Sequence, residues 1–133
     1  MTREELEEVR ELKREMRREE GRLTTLRLSM ETLTQLMDGM PHARSQSSKV
    51  ERLTLQIIET ERLIGELRAR LLEAATKILD AIKNAPLTQN EQQLLILRYV
   101  QCLNFKDIWE RLEYSDAHVY RLHAEALEKM RVR

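Results

Sequence analysis

The chain has 133 residues, enough for one domain or for a small domain with an extended arm. Its 23 Lys plus Arg balance 23 Asp plus Glu, which argues against a simple polycation that coats DNA or anionic lipid. Charged residues reach 35% and aromatics only 4%, with 3 Gly and 2 Pro, a profile of long patterned helices and not of a β-sandwich or barrel. There is no apolar run of about 18 residues, so no membrane span is expected. The start, MTREELEEVRELKREM, lacks the apolar stretch of a signal peptide. Cys102 is the single cysteine, which excludes an intrachain disulfide and a cysteine-rich zinc site. A soluble, cytoplasmic protein without a membrane partner is expected.

Residues 2–38 read as one helix, opened by a Thr2/Glu5 capping box. Val9, Leu12, Met16, Leu23, Leu26, Met30, Leu33 and Met37 step by three and four, the spacing of a coiled-coil seam, with Glu19 as the one misfit. Gly21 adds a helix-weakening residue close by, at about 1 kcal/mol relative to Ala. Gly39 and Pro41 end the helix, and His42 to Ser47 form a polar loop. Ser48 with Glu51 offers a second capping box, and the next helix runs to about Ala85, before Pro86.

The seam of this second helix is Val50, Leu53, Ile57, Thr60, Ile64, Leu67, Leu71, Ala74, Ile78 and Ala81. Two seamed helices on a short loop predict a long antiparallel, coiled-coil-like hairpin over residues 1–85; the alternative is that the seams pair between chains. Leu72, Ala75, Leu79 and Ile82 form a further apolar stripe that one partner helix is too narrow to cover. The C-terminal segment or a second chain is expected to cover it, and on that ground a homodimer is expected.

Composition shifts after Pro86. Every aromatic (Tyr99, Phe105, Trp109, Tyr114 and Tyr120) lies between residues 99 and 120, which marks residues 86–133 as a separate small core. Thr88 and Glu91 make a third capping box, opening a helix to about Val100. Asn104 caps a helix over 105–112, and Ser115 caps a last helix over 116 to about 130. Short helix, tight turn and longer helix is helix-turn-helix spacing. The predicted fold is therefore all-α: a helical hairpin followed by a three-helix, helix-turn-helix module.

The stretch from Leu87 to Arg131, carried by Leu97-Arg98-Tyr99, Ile108, Leu112, Tyr114-Ser115, Val119 to His123 and Ala126-Leu127, resembles the DNA-binding region four of sigma factors. It is similar still more closely to small phage transcription regulators of the ArpU/RinA type. The resemblance implies a second motif helix lying in the major groove of double-stranded DNA, and contact with RNA polymerase. Mapped onto this chain, it implies Asp116, Ala117, His118, Tyr120 and Arg121 facing bases, with Ser115, Lys106 and Arg98 facing the backbone. Two positions depart from the family pattern. Trp109 stands where the family has a small residue, and Glu113 where Gly or Asn suits a left-handed turn.

His118 and His123 are five residues apart, off the helical spacing that aligns two metal ligands, so no metal is expected. Neither a Gly-rich phosphate loop nor a nucleophile–base pair is present. No enzyme activity, cofactor or small-molecule substrate is expected. The predicted function is a sequence-specific DNA-binding transcription regulator of phage or prophage origin, working in the bacterial host cytoplasm. The alternative is a protein-interaction helical protein, an RNA-polymerase or phage-assembly accessory, that has lost DNA binding.

Overall fold

A computed structural model describes residues 1–38 and 48–133 in full, and the backbone of 44–47. The chain is all-helical, with no strand among the described residues. Helix α1 spans Arg3–Met37, α2 Arg44–Asn84, α3 Gln89–Leu95, α4 Phe105–Leu112 and α5 Asp116–Lys129. Helix α3 continues directly into a π-helical turn, Ile96–Val100. The helix boundaries follow the sequence signals with one correction. Helix α2 begins at Arg44, so Ser48 lies inside it and cannot form the expected Ser48/Glu51 capping box, because an N-cap needs non-helical backbone. The expected break at Gly39 and Pro41 lies outside the described residues.

Contacts group the chain into two compact units, residues 14–69 and residues 1–13 with 70–133. In the first, Arg27 Nη2 on α1 meets Glu61 Oε1 on α2 at 3.0 Å. A parallel pairing at that contact would leave the end of α1 and the start of α2 about 40 Å apart at the helical rise. The intervening residues reach only about 25 Å, so the two helices run antiparallel. The predicted seams are the faces turned away from water: Met16, Thr60, Ile64 and Leu67 are buried, and Leu23, Leu26, Met30, Leu33, Leu53 and Ile57 are half-buried. Glu19 is where the sequence signalled trouble. Its Oε2 is shut off from solvent and has no hydrogen-bond partner among the described residues, a polar atom whose burial there is not repaid.

The second unit holds the helix-turn-helix. Leu94, Leu97, Ile108 and Val119 form its centre, with Leu103, Phe105, Trp109, Leu112, Tyr114 and Leu122 packed around them. The start of α1 belongs to this unit. Leu6, Val9 and Leu12 are buried, and the Arg3 amide donates to the Arg133 carbonyl at 3.1 Å while the Arg133 amide donates to the Met1 carbonyl at 3.2 Å. Thr2 Oγ1 accepts from the Glu5 amide at 3.2 Å, one half of the predicted box.

The stripe expected to act as one surface divides here. Ile82 is 3% exposed and Ala75 half-buried, whereas Leu72 remains 70% and Leu79 41% exposed. A helix face only one side chain wide separates these pairs, so packing within the unit covers Ile82 and leaves Leu72 in water.

Candidate nucleic-acid interface

Three side-chain caps fix the module. Thr88 and Glu91 form a complete capping box: the Glu91 amide donates to Thr88 Oγ1 at 3.2 Å, and the Thr88 amide donates to Glu91 Oε1 at 3.1 Å. Glu91 also receives Lys129 Nζ at 2.6 Å. Burial pushes the Glu91 carboxyl up, but the Lys129 and Thr88 bonds outweigh it and hold the group below the usual carboxylate range.

Asn104 Oδ1 accepts from the Asp107 amide at 2.8 Å and opens α4. Ser115 Oγ accepts from the His118 amide at 3.2 Å and opens α5. Between them Glu113 takes φ 58°, ψ 38°, the left-handed conformation that the family pattern serves with Gly or Asn. The turn geometry is thus kept by a residue with a Cβ, at a cost of about 1 kcal/mol.

The π-helical turn ahead of α4 is held from outside. Lys13 Nζ donates to the Val100 carbonyl at 2.8 Å, and Arg10 Nη2 reaches the Arg98 carbonyl at 3.5 Å. Cys102 then adopts φ 61°, and the Leu103 amide returns to the Leu97 carbonyl at 3.0 Å. These contacts aim the chain into Asn104 and so set where α4 begins. Neither Lys13 nor Cys102 stood out in the sequence as a positioning residue, because both act on backbone far away or in an irregular turn.

The residues implied to meet DNA fall into two groups. Ser115, Asp116, Ala117, Tyr120 and Arg121 are exposed along the first turns of α5, and Lys106 is exposed on α4. His118 is half-buried, its ring 4.5 Å from that of Tyr114. Arg98 is placed differently: its Nη1 donates to the Leu103 carbonyl at 3.1 Å, its guanidinium lies 4.2 Å over the Phe105 ring, and its Nε is enclosed without a partner. Arg98 braces the loop between the π-helical turn and α4.

Tyr120 is 51% exposed and leans on Phe105 at 4.9 Å and edge-on to Trp109 at 6.1 Å. Trp109 therefore fits without a small residue by lying half-buried beside Tyr120. His123 sits behind this face with Phe105 edge-on at 5.0 Å. No group of three His, Cys, Asp or Glu that could hold a metal occurs among the described residues.

Charge on the module's surface is close to balanced. Lys106, Arg111, Arg121, Arg131 and Arg133 are its exposed basic residues other than Lys129, which is taken up by Glu91. Asp107, Glu110, Glu113, Asp116, Glu125 and Glu128 are its exposed acidic ones. A surface of this kind gains little from counterion release.

Residues 85–132 match the family described as Sigma-70, region 4. The RNA polymerase sigma factors FliA of Salmonella typhimurium and of Salmonella typhi are each 35% identical to this chain over 71 residues, 53% of this chain and 26% of theirs. The chain thus spans about a quarter of the length of these curated relatives. No solved structure matches. The C-terminal module thus has a helix-turn-helix arrangement and is similar in sequence to sigma-70 region 4. No helix of the described residues is long and apolar enough to cross a membrane.

Proposed function

We propose that the protein is a sequence-specific, double-stranded-DNA-binding transcription regulator that places α5 in the major groove. The observation that carries this reading is the exposed face of Asp116, Ala117, Tyr120 and Arg121, just beyond the Ser115 cap of the second motif helix. Arg121 and Tyr120 would reach base edges, while Ser115 and Lys106 would meet the sugar-phosphate backbone. With so little surplus positive charge, one module binds weakly, and a homodimer spanning two half-sites supplies the remainder. The hairpin serves that assembly or partner contacts. The pairing of a helical arm with this module is the layout of the phage ArpU/RinA-type regulators it resembles, which favours a phage or prophage origin and action in the bacterial cytoplasm.

The acidic excess beside Arg121 favours a second reading, in which the same face, with Tyr120 and Trp109, docks RNA polymerase or a phage assembly protein. Selection from random duplexes separates the two. The DNA reading expects an enriched site, at which Arg121→Ala loses about 1–3 kcal/mol of binding if Arg121 reads a base. Asp116→Ala is expected to strengthen binding to unrelated duplexes. No enriched site, together with unchanged affinity in Arg121→Ala, overturns the DNA reading in favour of the protein-docking one.

A further inference from the structure

Helix α2 carries two seams. One faces the hairpin. The other has the same three-four spacing, starts at Leu55 and Ile58, and repeats every seven residues to Thr76 and Leu79. At the α-helical period the two lie about 160° apart. Every position of the second seam is exposed, and its large aliphatic members, Leu55, Ile58, Leu72 and Leu79, keep 41–70% of their surface.

Gly65 stands at the middle of this outer seam. A Cβ built there would meet nothing within 4 Å. Nothing among the described residues requires the missing side chain, yet Gly inside a helix weakens it relative to Ala. Together with Ala69 one turn later, it makes a low place between apolar side chains, the shape that lets another helix backbone come close. Gly21 has equally open surroundings but lies in the charged run Arg17 to Arg22, where no apolar seam flanks it.

The flanking charges select the occupant's orientation. Glu59, Glu66, Glu73 and Asp80 form a row along one side of the seam. In an antiparallel self-pairing the rows of two copies would face each other, and like charges would repel. In a parallel, in-register pairing each row faces the opposite flank of the other copy, which brings Arg68 beside Glu73 twice by symmetry. Glu61, which would then face Glu66, is already met by Arg27 of its own chain at 3.0 Å. Arg62 is the one charged residue on the seam. Its stem can lie along apolar surface with its head toward these carboxylates, and a single polar seam position fixes register.

We propose that this outer face of α2, centred on Gly65 and Leu72, docks a second copy of the chain, parallel and in register. The inference rests on the dimeric reading above and names its surface and orientation. Since the helix-turn-helix follows the C-terminal end of α2 in each chain, parallel pairing gives both copies their modules at the same end of the joined helices.

The test uses the full chain in a Cys102→Ser background. Light scattering is expected to show a dimer, with Leu72→Cys cross-linking to itself under mild oxidation and Lys77→Cys, off the seam, failing to do so. Gly65→Leu is expected to raise the dimer dissociation constant at least about tenfold with no loss of helical circular dichroism. A chain monomeric at high micromolar concentration overturns both the dimeric reading and this surface. A dimer indifferent to Gly65→Leu, with no Leu72→Cys cross-link, overturns the surface alone. Cross-linking only between Leu55→Cys and Leu79→Cys chains overturns the parallel orientation.

Discussion

The Tyr99 hydroxyl lies 2.7 Å from Nε2 of His123, joining the π-helical turn to the middle of α5. When the ring is neutral with Nε2 bare, the hydroxyl donates to it. Burial holds the His123 pKa down, and the positive charges of Arg98 and Arg3 lower it further against the opposing pull of Glu7. A histidine whose folded pKa is depressed contributes stability that is present above its unfolded pKa and lost as pH falls through the folded value. Thermal stability should therefore drop as pH is lowered from about 7.5 to about 5.5. His123→Gln, which keeps an acceptor but does not titrate, should flatten that part of the profile. An unchanged slope in the variant would assign the pH dependence elsewhere.

Glu91 supplies a second, more acidic transition. Its depressed pKa means that its contribution is complete above the ordinary carboxylate value of 4.5 and vanishes as pH falls through the folded one. Lys129→Met leaves a carboxylate that is 1% exposed without its cation. Because the lysine itself is 40% exposed, the loss should fall near the low end of that for a broken buried pair, about 2–4 kcal/mol. Urea unfolding at neutral pH measures it, and the loss should shrink in a Glu91→Gln, Lys129→Met double variant.

Two substitutions should stabilise the chain. Glu113→Gly removes the Cβ from a left-handed position and should gain about 0.5–1 kcal/mol. Gly21→Ala fills open space in α1 and should gain about 1 kcal/mol. The sites are far apart in sequence and in separate compact units, so the gains should add in denaturant midpoints. A loss at Gly21→Ala would reveal a close neighbour at that point of α1.

Arg98 and Lys106 should part company in function. Arg98→Met removes the Leu103 bond and the stacking on Phe105, and should cost about 1–3 kcal/mol of stability. It should leave DNA affinity intact at temperatures where the variant is folded. Lys106→Ala should leave stability within about 0.5 kcal/mol. It should weaken binding on all duplexes alike, with the salt slope flatter by about one ion. Binding and melting curves on both variants decide the assignment.

The helices were legible in the sequence because their information is local. The three-four spacing marks the buried faces of α1 and α2, and Thr88, Asn104 and Ser115 each cap the helix that follows them. The start of α2 was less legible because the hydroxyl residues nearest to it, Ser45, Ser47 and Ser48, all lie inside the helix, and Ser48 with Glu51 has the spacing of a capping box without being at a helix start. The contacts of Arg98 within the chain were hidden for a different reason. A basic residue before a helix-turn-helix reads as a phosphate contact, and only the fold shows the Leu103 carbonyl and Phe105 ring within its reach. The pairing of Glu91 with Lys129, and of Lys13 with the Val100 carbonyl, joins positions that no sequence window holds together. Ile82 and Leu72 looked equivalent as letters, and their burial differs because tertiary packing reaches one and stops short of the other.

The contacts that Met1 and Arg3 make with Arg133, and Lys13 with Val100, bear on the order in which the protein can be made. The unit that reads as the DNA-binding one is assembled from two stretches, residues 1–13 and 70–133, with the whole of residues 14–69 between them in sequence. During synthesis the start of α1, with its Leu6, Val9 and Leu12, must wait until the later stretch of its unit emerges. Contacts of such long sequence separation form late and slowly. A chain released before α5 would therefore leave this unit incomplete and its apolar side chains in water, which makes truncated products prone to aggregation.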